Sequence, residues 1–253
     1  MPRTWPSLTI VAVLAIAGPT CASAHSPGPR GAPPHYEKTY YIQPSQVDLN
    51  DLLAPPPALG SPEEKADLNS VMQAQKDRDA DDVVDAEADH ERSVFRFTDV
   101  MGPSFKTEKL PFTTQFFLRV FSDEAKVVTV TKAHFARLRP FMVDSSLMPI
   151  VSPKATPSYP SGHTTFAYVT AILLAKMVPE HAVEIFRRAA TYGQNRVVAG
   201  AHFPTDVEAG RIAGTVIDSV FLHQPRFLTD FRIARAETRK VLGLPPIIDA
   251  GGQ

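Results

Sequence analysis

The run PSGHTTFAYVTAILLAKMVPEHAVEIFRRAATYGQNRVVAGAHFPTDVEAGRIAGTVIDSVFLHQP, residues 160–225, decides the fold. It is a succession of apolar-spaced segments cut by single breakers. Pro179, Gly200, Pro204 and Pro225 are the punctuation. Proline cannot continue a helix interior, and glycine favours the position just past a helix end. The spacing between them predicts helices over about 161–178, 181–198 and 205–222, and the pattern continues over 226–241. Upstream, residues 113–121 and 123–138 show the same period, with Val128 and Phe135 on the apolar stripe. No segment of useful length alternates with the period of a strand, and no internal repeat occurs. The expected fold is all-α: a single-domain, compact helical bundle.

The bulk properties narrow the function. The chain has 253 residues, is 43% hydrophobic and carries a net charge of −1. That balance lacks the basic field nucleic acid requires, so any phosphate affinity must come from locally gathered cations. The first 24 residues read as an export signal: Arg3, an apolar run over 8–17, then Ala22-Ser23-Ala24 as the cleavage pattern. Removal after Ala24 leaves a mature chain that begins near His25 and is periplasmic or secreted. The only cysteine, Cys21, lies in the removed segment, so no disulfide is expected despite export. The most apolar later run, residues 166–178, is interrupted by Lys176, so no membrane association is expected after signal removal.

Residues 25–60 read as a proline-rich arm, strapped to the body by Tyr40, Tyr41 and Ile42. The helical domain then spans 61–253. Ser61-Pro62-Glu63-Glu64 starts a helix, with Ser61 as cap and Glu64 completing a capping box. This helix is expected to continue into the acidic stretch 77–91. A calcium loop fails there, because Asp82 stands where glycine is needed and Ala88 where the bidentate glutamate is needed. A solvated helix face is the better reading.

Three pieces carry chemistry. Lys132 and Arg139 stand seven residues apart, nearly two helical turns, so one face could present both cations before Pro140 ends the helix. Pro160-Ser161-Gly162-His163 opens an apolar helix: Ser161 is a natural cap, Gly162 lets the backbone approach a ligand, and the helix N-terminus favours an anion. Arg196, His202 and Asp206 form the third piece. One continuous helix would rotate His202 about 240° from Arg196. Gly200 and Pro204 avoid this by placing His202 in a turn, with Thr205 capping the next helix. Asp206 is spaced to fix the tautomer of His202. Taken singly, each piece also fits a plain structural role: a solvated cation pair, a capped helix with an incidental histidine, a structural His–Asp bond. His134 reads as packing or solvent, and His181 and His223 as helix-end caps.

Together and in this order, the segments 132–140, 157–164 and 193–206 resemble the signature of the class A bacterial non-specific acid phosphatases. These are members of the phosphatidic-acid-phosphatase type 2 and vanadium-haloperoxidase superfamily. The resemblance implies a compact helical enzyme that hydrolyses a broad range of phosphate monoesters without metal or other cofactor. It implies His202 as nucleophile, passing through a phosphohistidine, with Asp206 orienting it. His163 would protonate the leaving alcohol. Lys132, Arg139, Arg196, Ser161 and the Gly162 backbone would hold the phosphoryl oxygens. Phosphotransfer to alcohols and homo-oligomer formation are further expectations. Two departures stand out: Asn195 where the family has serine, expected still to donate to a phosphate oxygen, and Pro157 where it has glycine. A vanadate-dependent haloperoxidase and a non-catalytic phosphate-binding protein of the envelope are the competing readings. A lipid-phosphate phosphatase is disfavoured by the want of a later apolar span.

Overall fold

Prolines open most of the long helices, as their missing N–H and fixed φ favour at a first helical position. The computed structural model describes residues 39–151 and 156–248. The expected export signal and the start of the expected arm, residues 1–38, lie outside them. In chain order, a 3-10 turn at Pro44–Gln46 precedes α1 (Leu49–Leu52), α2 (Pro62–Asp77), α3 (Ala80–Ala88), α4 (Thr98–Met101) and α5 (Pro111–Phe135). Then follow α6 (Pro140–Val143), α7 (Gly162–Met177), α8 (Ala182–Val198), α9 (Pro204–Phe221) and α10 (Pro225–Val241). The described residues contain no strand, and none of their helices is long and apolar enough to cross a membrane.

Helix α7 sits at the centre. Phe166, Val169, Leu173 and Leu174 are fully buried, and a helix apolar all round must be enclosed by others. It packs chiefly on α8 and α9, and also on α5 and α10. The contact with α9 is backbone to backbone. A Cβ at Gly210 would meet the Ser161 carbonyl oxygen at 2.6 Å, and one at Gly214 would meet that of Thr165 at 2.9 Å. The Ser161 N–H also donates to the Asp206 carbonyl at 2.9 Å. The start of α7 is thereby held against the start of α9, which brings the second and third motifs together.

The strap forms. Asp123 is fully buried, and its carboxylate accepts the backbone N–H groups of Tyr40, Tyr41 and Ile42 at 3.0, 2.7 and 3.2 Å. The Tyr41 ring meets Phe116, Phe221 and Phe227, and burying each such ring contributes about 2–3 kcal/mol. The described part of the arm is only partly extended, since it includes the 3-10 turn and α1.

Several expectations are corrected. Residues 113–121 and 123–138 are one helix, α5, which ends at Phe135 with Ala136 in the left-handed region at φ 48°. Arg139 is therefore off that helix and occupies the residue just before α6, with no capping hydrogen bond from its side chain. The acidic stretch does not continue α2: Arg78 is extended, and Asp79 starts α3 by accepting from Asp81 N and Asp82 N, each at 2.9 Å. Nor is that stretch wholly solvated, because Asp89 is fully buried. Ser61 does cap α2, accepting from Glu64 N at 3.1 Å, but the Glu64 carboxylate reaches back to Gly60 N.

Candidate active site

A cavity of about 510 Å³ opens between α5, α7 and the turn after α8. Lys132, Arg139, Gly162, His163, Arg196 and His202 all line it. Six residues from three separated motifs thus share one space.

His202 lies in the turn after α8, which reverses at Gly200 with φ +67°. The helix therefore stops before it can carry His202 to the wrong face. Pro204 opens α9, but Thr205 does not cap it. The Asp206 carboxylate does, accepting Phe203 N at 2.9 Å, while Thr205 bonds to Asp67. The same Asp206 Oδ2 lies 3.4 Å from His202 Nδ1. On the other side of the ring, Arg139 Nη1 donates toward His202 Nε2 at 3.3 Å. A carboxylate at Nδ1 and a guanidinium at Nε2 assign the proton to Nδ1 and leave an Nε2 lone pair facing the cavity. Burial, more than the nearby Lys132 and Arg139 charges, lowers the His202 pKa to about 3, so the ring is neutral in ordinary buffers.

Asp206 has supports that the sequence did not disclose. Arg137 Nη1 donates to its Oδ1 at 2.7 Å, and the Ser158 hydroxyl donates to its Oδ2. Arg137 also pairs with Asp67 at 2.8 Å and lies over the Phe203 ring. Burial alone would raise the Asp206 pKa, but the His202 hydrogen bond, Arg137 and Ser158 outweigh it and keep the carboxyl below its usual range.

The cationic heads are held by backbone carbonyls. Lys132 Nζ donates to the Pro157 and Ser158 carbonyls at 2.6 and 3.0 Å. Its pKa falls to about 7, by burial first and then by Arg139. Arg139 Nε donates to the Thr156 carbonyl and Nη1 to that of Ala201, both at 2.8 Å. Arg196 donates Nη1 to the Asp89 carbonyl at 2.9 Å and Nη2 to the Ala86 carbonyl at 3.0 Å. Its buried Nε has no protein partner.

His163 lies in the first turn of α7, with Nε2 3.1 Å from the His90 carbonyl and its ring stacked on His90. Because a carbonyl only accepts, Nε2 carries the proton. Burial, then the charge of Arg196, pushes the His163 pKa well below its ordinary value. Ser161 caps α7 as expected, accepting from Thr164 N at 3.3 Å, but it is buried and does not line the cavity. Asn195 departs from expectation too. Its amide donates to Asp89 at 2.8 Å and faces a separate depression beside α3, not the cavity. His223 caps its own helix through the Ser219 carbonyl, whereas His181 reaches that of Val100.

A helical frame that gathers cations and a buried His–Asp pair around one cavity defines a phosphate-ester enzyme of the all-α class. The chain belongs to the PAP2 superfamily, whose family model matches residues 114–230. It is 34% identical over 199 residues to an acid phosphatase of Zymomonas mobilis subsp. mobilis, an alignment covering 74% of each chain. It is 33% identical over 137 residues to a non-specific acid phosphatase of Salmonella typhimurium, covering 52% of this chain and 55% of that one. Within the superfamily it is a phosphatase of the class A acid phosphatase type. The solved structure of a bacterial vanadium-dependent iodoperoxidase shares the fold, with a TM-score of 0.50 at 17% identity over 68% of this chain and 52% of that one.

Proposed function

We propose that the protein is an exported acid phosphatase that hydrolyses phosphate monoesters of broad range through a phosphohistidine at His202. The observation that carries this reading is the His202 ring, with Nδ1 toward Asp206 and Nε2 toward Arg139 in the cavity. Non-catalytic binding of phosphate needs no imidazole held in one tautomer.

In the first step the Nε2 lone pair bonds to phosphorus, and the P–O bond to the leaving alcohol breaks, its electron pair going to that oxygen. His163 supplies the proton. In the second step a water oxygen bonds to phosphorus, the P–N bond breaks with its electron pair returning to Nε2, and His163 takes the water proton. Lys132, Arg139 and Arg196 stabilise the charge on the equatorial oxygens. The unpartnered Arg196 Nε supports a phosphate-binding role for that residue. Alcohols in place of water would give phosphotransfer.

His163 must gain a proton before it can act. A monoester has its second ionisation near pH 6, so below that pH the substrate monoanion brings one. Hydrolysis of p-nitrophenyl phosphate, inhibited by orthovanadate, is the expected activity. Halide oxidation with vanadate and no hydrolysis would favour the haloperoxidase reading instead.

A further inference from the structure

One carboxylate of the acidic stretch is fully buried although the reaction as described does not use it. Asp89 is fully buried just past α3, upstream of the segment that matches the family. Its carboxylate accepts four hydrogen bonds. Oδ1 accepts from Arg96 Nε at 3.1 Å and Arg188 Nη2 at 2.5 Å. Oδ2 accepts from Arg188 Nη1 at 3.0 Å and Asn195 Nδ2 at 2.8 Å. Two of these three partners, Arg188 and Asn195, belong to α8, which also carries Arg196.

The backbone at the same place reaches two residues that line the cavity. The Ala86 and Asp89 carbonyls receive the two terminal nitrogens of Arg196, and the His90 carbonyl receives His163 Nε2. Asp89 thus ties its own backbone to α8 by its side chain, and that backbone orients a cation and an imidazole. Asn195 closes the loop, because it immediately precedes Arg196.

We propose that Asp89, with Asn195 as its partner, is the positioning residue that sets both Arg196 and His163 for phosphate. The geometry explains why asparagine stands at 195: its amide donates to the anchor, not to substrate. All of Asp89's partners are donors, so an amide at 89 would set its own NH2 against one of them. Charge-assisted bonds of this kind are among the stronger ones in proteins. The role rests on the cavity being a phosphate site, so the test reads phosphate binding as well as turnover.

The experiment compares wild type with Asp89→Ala, Asp89→Asn and the exchange Asp89→Asn/Asn195→Asp, in which the new amide would donate to the new carboxylate. For each, kcat and KM for p-nitrophenyl phosphate, the affinity for inorganic phosphate and the melting temperature are measured. Asp89→Ala and Asp89→Asn are expected to lose about ten- to a hundredfold in phosphate affinity and in kcat/KM at temperatures where the protein stays folded. The exchange is expected to recover most of both. If Asp89→Ala does not fold, Asp89→Asn and the exchange decide alone. Lowered melting with phosphate affinity unchanged would overturn the role, as would an exchange no better than Asp89→Asn. Absence of turnover in wild type would count against the proposed reaction, while the phosphate-affinity comparison would still decide the role of Asp89.

Discussion

At the scale of single residues, burial sets the protonation states that matter. His202 is kept neutral and therefore nucleophilic. His202→Ala is expected to lower kcat by at least about a thousandfold while phosphate still inhibits whatever turnover remains; near-normal turnover would exclude it as the nucleophile. Lys132 is protonated below pH about 7 and neutral above it. Because kcat/KM follows the free enzyme, it is expected to fall as pH rises through that value, and a profile climbing into alkaline pH would contradict the assignment. Asp218 is a buried carboxyl outside the site, with both oxygens unpartnered and its pKa raised well above the usual range by burial. A raised carboxyl favours the folded state only while protonated, so its contribution is lost as pH rises from the unfolded value toward the folded one. Asp218→Asn is expected to melt higher than wild type at pH 8, by the equivalent of about 1 kcal/mol or more, with the difference vanishing near pH 3.

At the scale of elements, the close approach of α7 and α9 matters most. Gly210→Ala drives a methyl into the Ser161 carbonyl, and backbone cannot yield as a flexible side chain would. A loss of about 1–3 kcal/mol in stability is expected, together with lower kcat, because Ser161 and Asp206 are joined across that contact. Unchanged melting and rate would show that the helices can part without cost. This level was the most legible in the sequence: α7 to α10 lie within a residue of where Pro179, Gly200, Pro204 and Pro225 place them. The misreadings of the acidic residues share one cause. A carboxylate looks the same in sequence whether it starts a helix, faces water or anchors another segment. Asp123 anchors the strap inside α5, and Asp89 holds α3 to α8. Both partnerships span many residues, and neither leaves a periodic trace.

At the scale of the whole molecule, the frame takes three stretches of chain and delivers Lys132, Arg139, His163, Arg196 and His202 to one cavity. The motif residues were legible because their chemistry is uncommon in combination. Arg137, Ser158 and Asp89 were not, because only the packed fold shows that a surface-like residue is buried. The central claim is covalent catalysis at one imidazole, and its most direct measurement is a quench in acid-free conditions after brief exposure to labelled monoester. Peptide mapping of the trapped adduct is expected to place an acid-labile phosphate on His202 and to find none in His202→Ala. Label on another residue, or rapid turnover with no trappable adduct and inversion at phosphorus, would contradict it.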